Sequence, residues 1–424
     1  MATTAQSVAE VCAGAKRASR VLARLDTETK NEALIAMADA LELRTGEILE
    51  ANARDMEEGH EAGLHEGLLD RLKLTEQRVA GIARDVRAIA ALPDPVGETI
   101  EGFRLPNGLD VRRVRTPLGV VAVVYEARPN VTIDCSALCL KSGNAIVLRG
   151  SSTAAHSNAV LAQVASTAAV TRAGLPEGSI SIVTGGDRDE LRQISTQDDT
   201  VDLIIPRGGE GLKAALKEHA TVPVMYAAAG NCHVFVDASA DLEDAVAITV
   251  NAKVQRPSVC NAAETLLVHA DVAAQFLPAA LRELRGLGVE LRVDGRTRAV
   301  AGELADSLTD ATEEDWATEY HALILAVKVV DSAEEAIEHV NRYGSGHSEA
   351  IVTGSTSSAR AFTEGVDAAA VYVNASTRFT DGAVFGMGAE IGNSTQKLHA
   401  RGPIALRELT TYKFVIEGSG QVRE

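Results

Sequence analysis

The sequence predicts an α/β protein with two doubly wound α/β domains and a small β-ribbon. Short apolar strands alternate with helical stretches from Gly119 onward, and a second series of the same kind starts at His233. Strands that alternate with helices form parallel sheets, and ligands bind beyond the carboxyl ends of the strands. At 424 residues, with 46% hydrophobic content, the chain can bury the cores of two domains.

The first hundred residues precede this alternation and are predicted to be helical. Apolar residues recur at three- and four-residue spacing over 5–25, 27–51 and 74–92. Residues 101–116 are then predicted to form a hairpin with Pro106-Asn-Gly108 as its turn. Because a two-stranded ribbon cannot bury a face alone, we expect it to pack on another subunit or domain.

The alternation that follows predicts the strands and helices of the two sheets. In the first series, strands are predicted at 119–125, 145–148, 180–183 and 202–205, with helices at 129–141, 153–172 and 208–219. In the second series, strands are predicted at 233–237, 264–269, 322–330, 349–353 and 369–373, with helices at 241–253 and after the capping-box sequence Ser332-Ala-Glu-Glu335. Neither an internal repeat nor a low-complexity linker interrupts the pattern.

Composition argues against several classes of function. The formal net charge is −18 and aromatic residues make up 3% of the chain, whereas nucleic-acid-binding surfaces need basic patches and stacking platforms. No apolar run approaches the roughly 18 residues that a membrane span requires, and the amino terminus lacks a basic leader followed by an apolar stretch. We therefore expect a cytoplasmic protein without nucleic-acid or membrane partners. A local group of arginines could still bind an anionic small substrate.

One of the five cysteines stands apart from the others. The odd number argues against a secreted disulfide framework, and Cys135 and Cys139, one helical turn apart, are expected to face a core rather than to bind a metal. Cys260 lies between a proline-broken turn at Arg256-Pro257 and a predicted strand. It is either a buried, inert thiol, as free cysteines usually are, or a nucleophile.

The glycine-rich segments differ from the common nucleotide-binding fingerprints. No Gly-x-Gly-x-x-Gly follows the first strand, and no Walker A sequence is present. Glycines do follow predicted strands at Thr184-Gly-Gly186 and at Pro206-Arg-Gly-Gly-Glu-Gly211, and the second segment leads into a helix whose N–H groups could hold a phosphate. A glycine pair in this position also forms a simple turn. Arg149, at the end of a predicted strand and before the hydroxyls of residues 151–153, is another candidate anion site.

Six motifs along the chain connect these observations to a known family. They are Tyr125-Glu-Ala-Arg-Pro-Asn-Val-Thr132, Leu140-Lys-Ser-Gly-Asn-Ala145, Val147-Leu-Arg-Gly-Ser-Ser152, Gln255-Arg-Pro-Ser-Val-Cys-Asn-Ala-Ala-Glu264, Tyr343-Gly-Ser-Gly-His-Ser-Glu-Ala350 and Gly388-Ala-Glu-Ile-Gly-Asn-Ser-Thr-Gln396. Together they closely resemble the γ-glutamyl phosphate reductases, or glutamate-5-semialdehyde dehydrogenases, of the aldehyde dehydrogenase superfamily. The resemblance implies an aldehyde dehydrogenase-like fold with a cofactor-binding domain (1–102 and 118–230), a catalytic domain (231–385) and an oligomerisation ribbon (103–117 and 397–418). In that superfamily the dinucleotide binds without the usual glycine fingerprint.

The resemblance also implies a reaction. These enzymes use NADPH to reduce L-glutamyl 5-phosphate to L-glutamate 5-semialdehyde and phosphate, the second step of proline biosynthesis. Cys260 is then the nucleophile that forms a thioester, and the side-chain amide of Asn130 and the backbone N–H of Cys260 form the oxyanion hole. The stretch Tyr226-Ala-Ala-Ala-Gly-Asn-Cys-His233 stands where hydrolytic aldehyde dehydrogenases carry Glu-Leu-Gly-Gly, and it has no carboxylate to activate water.

Cofactor and substrate residues follow from the same resemblance. Arg149 matches the lysine before the adenine-ribose site, and Ser152 replaces the glutamate of many NAD-using members, which favours NADP. The other cofactor candidates are Ser151, Pro206, Gly208, Gly209 and, for the nicotinamide ribose, Glu319. The substrate candidates are Arg128, Arg256, Arg378 and Glu126, the last of which could meet the substrate amine. For Glu319 and the substrate candidates, the alternative is an ordinary solvated surface residue.

The predicted partners are further copies of the chain, and glutamate 5-kinase is a candidate because glutamyl phosphate cyclises readily. Two other interpretations remain open. One is an aldehyde dehydrogenase that passes its acyl group to coenzyme A, and the other is a catalytically inert protein that kept the fold.

Overall fold

The computed structural model describes residues 6–184, 188–226 and 230–423, except the side chains of Arg188 and Glu210. The chain divides into two compact units: the first comprises Met1–Ala227, Gly386–Gly392 and Ile404–Glu424, and the second comprises Ala228–Phe385 and Asn393–Pro403. Each unit contains a parallel sheet with helices, which confirms the predicted α/β class. The domain limits predicted from the sequence stay a prediction.

Five helices open the first unit. They are α1 (Val8–Leu22), α2 (Thr27–Leu43), α3 (Thr45–Glu61), α4 (Glu66–Leu72) and α5 (Glu76–Ala91). The single helix predicted over 27–51 is wrong, because the chain breaks at Arg44. There the hydroxyl of Thr45 donates hydrogen bonds to the carbonyls of Leu41 and Glu42, and this competition ends α2 although the apolar pattern continues.

Strands of the first unit form the predicted hairpin and the predicted sheet. The hairpin consists of β1 (Thr99–Arg104) and β2 (Asp110–Pro117), and the four-stranded parallel sheet consists of β3 (Val120–Tyr125), β4 (Ala145–Gly150), β5 (Ile180–Val183) and β6 (Leu203–Arg207), in the order β5-β4-β3-β6. Tyr125 pairs with Gly150 on one side and with Arg207 on the other. The carboxyl ends of β3, β4 and β6 are therefore adjacent, and the residues that follow them share one edge of the sheet.

The helices of this sheet were predicted with one exception. They are α6 (Pro129–Lys141), α7 (Ala155–Ala173), α8 (Arg188–Ser195) and α9 (Glu210–His219), and a 3₁₀ turn, Ser152–Ala154, precedes α7. The bounds of α6 agree with the prediction, because Pro129 occupies the first turn, where its missing N–H costs nothing. The sequence analysis missed α8.

The second unit is built on a seven-stranded parallel sheet. Its strands are β7 (Cys232–Val236), β8 (Ala263–His269), β9 (Glu290–Val293), β10 (Thr309–Asp310), β11 (Ile324–Val330), β12 (Ser348–Val352) and β13 (Ala370–Val373), in the order β10-β9-β11-β8-β7-β12-β13. A short antiparallel pair, β14 (Asn393–Ser394) and β15 (Gly402–Pro403), lies outside this sheet. Apolar side chains of the central strands fill cores on both faces, one around Leu266 and Val327 and the other around Phe235 and Ile351.

Helices of the second unit include several that the sequence analysis missed. They are α10 (Leu242–Val254), α11 (Ala270–Gly286), α12 (Gly295–Val300), α13 (Ala333–Tyr343) and α14 (Thr356–Gly365). Helices α11, α12 and α14 were not predicted, and neither were β9 and β10; Pro278 lies inside α11, where a proline normally ends a helix. Only half of the capping box predicted at α13 is present. The hydroxyl of Ser332 accepts the N–H of Glu335, but the Glu335 carboxylate accepts the N–H of Asp331.

A third strand completes the ribbon of the first unit. Strand β16 (Thr410–Glu417) pairs antiparallel with β2, so the ribbon has the order β1-β2-β16 and β16 is one of its edges. Tyr412, Phe414 and Ile416 alternate along this edge strand and are 49%, 54% and 58% exposed. An apolar edge strand of this kind is a template for pairing with another chain.

Candidate active site

The loop that carries Cys260 joins α10 to β8, so it lies at the amino edge of the parallel sheet of the second unit. The loop thus precedes a strand and does not follow the carboxyl end of one, where the sequence analysis expected ligands to bind; its role in binding stays a prediction. A turn closes the loop, with the N–H of Ala262 3.1 Å from the carbonyl oxygen of Val259. The nucleophile candidate is thus presented on a short, hydrogen-bonded turn rather than on a regular element.

Backbone packing fixes the position of Cys260. A side chain at Gly230 would place its Cβ 1.6 Å from the carbonyl oxygen of Cys260, so only glycine fits there. The thiol of Cys232 donates a hydrogen bond to the same carbonyl oxygen, with Sγ and O 3.2 Å apart. These two contacts hold the Cys260 peptide against the start of β7.

Exposure separates Cys260 from the other cysteines. Cys12, Cys135, Cys139 and Cys232 are buried, whereas Cys260 is partly exposed. Burial raises the pKa of Cys12 to about 11 and that of Cys135 to about 12, and it raises the pKa values of Cys139 and Cys232 well above the ordinary range. Those four thiols stay protonated at neutral pH and are poor nucleophiles.

Asn261, the next residue, ties the Cys260 turn to the segment that carries Arg378. Its side-chain amide donates to the carbonyl oxygens of Arg378 and Thr380, at 3.2 and 3.0 Å. Its backbone carbonyl accepts the hydroxyl of Thr377 at 2.6 Å, and Arg378 sits in the 3₁₀ turn Thr377–Phe379. The sequence analysis did not select Asn261, because its hydrogen-bond partners lie in a segment that is distant along the sequence.

Electrostatic interactions connect three of the candidate residues, Arg378, Arg256 and Cys260. Partial burial lowers the pKa of Arg378 from its usual range, and the like charge of Arg256 adds to this, while Cys260 and Asp381 favour the charged guanidinium. Nε of Arg378 donates to the amide oxygen of Gln255 at 3.0 Å, which holds the guanidinium near the same loop. Arg256, Arg378 and Cys260 thus interact electrostatically, and cations of this kind can pair with the anionic groups of a ligand.

Glu319 belongs to the same unit and lies in the segment before β11, again at the amino edge of the sheet. Its carboxylate is 3.4 Å from Nε2 of His321, and the side chain is 16% exposed. His321 adopts a left-handed backbone conformation, with φ of 54°, which turns the chain sharply after Tyr320. Glu319 is therefore a partly buried acid on a tight turn and not a freely solvated one.

Candidate cofactor residues of the first unit gather at the carboxyl ends of β3, β4 and β6. A cleft beside them is lined by Gly150–Ser152 and Ile182–Thr184, with Ala155 and Asn158. Arg149 is the penultimate residue of β4 and is 9% exposed. The hydroxyl of Ser151 accepts the N–H of Ala127 at 3.3 Å, while Ser152 starts the 3₁₀ turn before α7. Among the described residues, this lining offers the hydroxyls of Ser151, Ser152 and Thr184 and no carboxylate.

Gly208 and Gly209 precede α9, and Pro206 lies within β6. The carboxylate of Glu126 accepts the N–H of Gly209 at 3.2 Å, and a Cβ at Gly208 would be 2.8 Å from the carboxyl carbon of Glu126. Glu126 therefore lies next to the residues predicted for the pyrophosphate. Its predicted contact with the substrate amine stays a prediction, as does the role of Arg128 at the amino end of α6.

Asn130, in the first turn of α6, has a carboxylate as its partner. Its Nδ2 donates to Oδ2 of Asp134, one turn further along the helix, at 2.8 Å. Burial raises the pKa of Asp134 to about 7, against the opposing effect of this hydrogen bond. Asp134 is a second residue that the sequence analysis missed, although an acid four residues after an asparagine in a helix lies on the same face.

A group of three metal-ligand types lies elsewhere in the first unit. Ligand atoms of Asp55, Glu58 and His156 are within 4.8 Å of one another. The Asp55 carboxylate already accepts the N–H groups of His156 and Ser157, and also the Ser157 hydroxyl, so it caps the start of α7.

Among the helices of the described ranges, none combines the length and apolarity that a bilayer crossing needs.

Two segments singled out in the sequence lie partly outside the described residues. They are Gly185 and Gly186 of the first glycine pair, and Ala227 to Ala229 of the stretch without a carboxylate.

Comparison with known proteins decides the family. The model of the aldehyde dehydrogenase family matches residues 1–301 and 308–415. The chain belongs to the aldehyde dehydrogenase family. Within it, the chain is 57% identical over 409 residues to the γ-glutamyl phosphate reductase of Syntrophomonas wolfei, with 96% of each chain covered. It is 57% identical over 412 residues to the protein of the same name from Moorella thermoacetica, with 97% of each covered.

Solved structures of aldehyde dehydrogenase relatives agree with this. The crystal structure of γ-glutamyl phosphate reductase from Thermotoga maritima has 47% identity and a TM-score of 0.96, and the match covers 99% of this chain and 100% of that one. An acetylating aldehyde dehydrogenase from Geobacillus thermoglucosidasius has 20% identity and a TM-score of 0.68, covering 98% and 97%. The second likeness shows the shared fold alone.

Proposed function

We propose that this chain reduces L-glutamyl 5-phosphate to L-glutamate 5-semialdehyde with release of phosphate, the second step of proline biosynthesis. The observation that carries the proposal is the 57% identity, over 96% of both chains, to a relative named for this activity. The grouping of Cys260 with Arg256 and Arg378 supports it, because the substrate is an acyl phosphate with further charged groups.

In the proposed reaction, the thiolate of Cys260 attacks the acyl carbon of the substrate. The bond from carbon to the phosphate oxygen breaks, phosphate leaves with the electron pair, and a thioester remains on Cys260. A bound NADPH supplies the hydride that reduces this thioester. The resulting thiohemiacetal then collapses, so that the aldehyde is released and the thiol is restored.

Other residues have separate proposed roles in these steps. The amide of Asn130 and the backbone N–H of Cys260 donate to the oxygen that becomes negative, and loss of one such donor typically costs about 2.7–4 kcal/mol in the transition state. Arg256 and Arg378 neutralise anionic groups of the substrate, and Arg128 and Glu126 are further substrate candidates. The sequence stretch 226–233 contains no carboxylate, so it lacks the acidic residue that hydrolytic relatives use to activate water against the thioester.

NADP is the proposed cofactor. The cleft lined by Ser151 and Ser152 has hydroxyls where many NAD-using relatives carry an acid, and Arg149 is the cation nearest to it in sequence. Pro206, Gly208 and Gly209 are the proposed neighbours of the pyrophosphate, and Glu319 is the proposed partner of the nicotinamide ribose.

We further propose a cytoplasmic homo-oligomer formed through the ribbon, whose edge strand β16 exposes three large apolar side chains. Glutamate 5-kinase supplies the unstable acyl phosphate and is the proposed transient partner. If a reagent that traps free acyl phosphate captured all of it in a mixture of the two enzymes, this proposed partnership would be contradicted.

The test is the reverse reaction, because the semialdehyde is easier to supply than glutamyl phosphate. We expect oxidation of glutamate 5-semialdehyde with NADP and phosphate, and loss of this activity in Cys260→Ala. Iodoacetamide at neutral pH should alkylate Cys260 much faster than the other four cysteines. Equal labelling of all five would contradict the thioester mechanism. An absolute requirement for coenzyme A in place of phosphate would replace the proposed function by an acylating dehydrogenase.

A further inference from the structure

A fully buried ion pair closes the base of the loop that carries Cys260. Nζ of Lys253 is 2.5 Å from Oε2 of Glu264, and neither side chain is exposed to solvent. Lys253 is the penultimate residue of α10 and Glu264 is the second residue of β8. The loop of residues 255–262 therefore leaves one partner of the pair and returns to the other.

The same pair also faces the turn that carries Glu319. Nζ of Lys253 is 5.9 Å from the centroid of the Tyr320 ring. The backbone N–H of His321 favours the ionised Glu264 carboxylate, whereas the charge of Glu319 opposes it and stabilises the Lys253 ammonium. The pair thus contacts, on one side, the base of the thiol loop and, on the other, the tight turn of residues 319–321.

Burial of the Lys253–Glu264 pair costs desolvation free energy. Burial lowers the pKa of Lys253 and raises the pKa of Glu264 to about 7, so desolvation acts against the charged form of both groups. Replacing a buried ion pair with uncharged side chains of similar volume is often neutral or stabilising, while removing one partner is strongly destabilising. A contribution to stability alone therefore does not account for this pair, whereas a need to fix the geometry of the two adjoining segments does.

We propose that Lys253 and Glu264 are positioning residues that hold the Cys260 loop and the Glu319 turn in one fixed arrangement. This inference rests on the proposed function, in which Cys260 attacks the substrate and Glu319 binds the nicotinamide ribose. Arg378 is tied to the same loop, through the hydrogen bonds that Asn261 makes to its turn and through the bond from its own Nε to Gln255. Loss of the ion pair should therefore disturb thiol attack, cofactor binding and phosphate binding together.

The first unit offers a matched control. Lys30 and Asp94 form another buried pair, with Nζ and Oδ2 2.8 Å apart and side chains 2% and 8% exposed. None of the candidate site residues is a partner of this pair in the hydrogen bonds of Lys30 or Asp94. The two double variants Lys253→Met/Glu264→Gln and Lys30→Met/Asp94→Asn each remove both charges and keep similar volumes.

The experiment compares these two variants with the unchanged chain in the reverse reaction. For Lys253→Met/Glu264→Gln we expect kcat to fall and the KM for NADP to rise, each about 10- to 100-fold, because small displacements of reacting groups cost rate factors of this size. The KM for phosphate should rise as well, because Asn261 and Gln255 of the same loop position Arg378. Iodoacetamide should alkylate Cys260 more slowly, because the loop no longer holds the thiol in one position. The Lys30→Met/Asp94→Asn variant should keep all four quantities.

Unfolding in urea, followed by circular dichroism, shows that the compared variants are folded. If the first double variant does not fold, Lys253→Gln/Glu264→Gln, which also removes both charges but keeps two side chains that can hydrogen-bond to each other, takes its place with the same expected changes. Unchanged kcat and KM for NADP, or equal losses in the Lys30→Met/Asp94→Asn variant, would overturn the inference. Failure of the proposed function is distinguishable, because the unchanged chain would then lack phosphate- and NADP-dependent activity while its alkylation rates still report on the loop.

Discussion

The side-chain amide of Asn130 donates a hydrogen bond to the carboxylate of Asp134, with Nδ2 and Oδ2 2.8 Å apart. Above its raised pKa of about 7, the Asp134 carboxylate is ionised, accepts hydrogen bonds and cannot donate them, so it selects the orientation in which the Asn130 amide nitrogen, and not its oxygen, faces Asp134. The second hydrogen of the same nitrogen stays available as a donor. Asp134 therefore holds the amide in the orientation that the proposed role of Asn130 requires.

Substitution of Asp134 by Asn should lower kcat in the reverse reaction. An asparagine can donate to the Asn130 oxygen, so the amide can flip and lose its role as a donor; we expect a fall of about tenfold, below the cost of deleting an oxyanion donor outright. In the background of Asn130→Ala the Asp134→Asn change should have no further effect. The control is Asp85→Asn, an exposed carboxylate close enough to influence the pKa of Asp134. Unchanged kcat in Asp134→Asn would show that Asp134 has no part in orienting Asn130.

Substitution of Asn261 by Ala should weaken phosphate binding more than cofactor binding. The variant loses both amide donors to the turn that carries Arg378, and the guanidinium is then no longer fixed relative to the thiol. We expect the KM for phosphate to rise about tenfold while the KM for NADP changes less than about twofold, as measured in the reverse reaction. Asn341→Ala is the matched control, because Asn341 makes a comparable bond to the carbonyl of Gly365 but is exposed. Equal increases in the two KM values would count against a specific role of Asn261.

Much of the fold was accessible from the sequence, because the signals there are local. Strands of β-branched residues such as β3, and the proline that starts α6, fix their elements within a few residues. The break at Arg44 was not accessible, because it depends on the hydroxyl of Thr45 reaching back to α2 instead of on the apolar pattern.

Some residues of the candidate site could be predicted from the sequence, and others could not. Cys260 is marked by its neighbours in sequence and by the motifs around it. Lys253 and Glu264 carry no such mark, because their pairing depends on how α10 and β8 pack in three dimensions. Asn261 was also missed, since an amide next to a cysteine has a meaning only once its partners in the turn Thr377–Phe379 are known.

Substitution of Ser152 by Glu should move the cofactor preference from NADP toward NAD. The exposed Ser152 lines the cleft at the end of β4, and a carboxylate there would repel the 2′-phosphate of NADP while it could accept hydrogen bonds from the 2′-hydroxyl of NAD. We expect the ratio of kcat/KM for NADP to that for NAD to fall about 10- to 100-fold, a change of about 1.4–2.7 kcal/mol. In Ser152→Gln the new side chain has about the size of glutamate but no charge, so this variant should change the ratio much less. A similar fall in both variants would assign the effect to size and contradict the electrostatic argument.

Acid should destabilise the protein through His339, and His339→Phe should reduce this effect. The imidazole of His339 is 4% exposed and packs against the rings of Trp316 and Tyr343, and both of its nitrogens lack a hydrogen-bond partner within the described parts of the chain. Burial lowers the pKa of His339 to about 3, and the neighbouring His233 adds to this.

Because the unfolded chain binds this proton near the ordinary pKa of about 6.5 and the folded chain does not, stability that is present at pH 7 is lost as the pH falls below about 6.5. Between pH 7 and pH 5 the loss amounts to about 2 kcal/mol. Urea unfolding at the two pH values should show that His339→Phe loses about 2 kcal/mol less than the unchanged chain. An equal loss in His339→Phe and in the unchanged chain would mean that the acid sensitivity originates in other groups, because the phenylalanine ring fills the same space and cannot take up a proton.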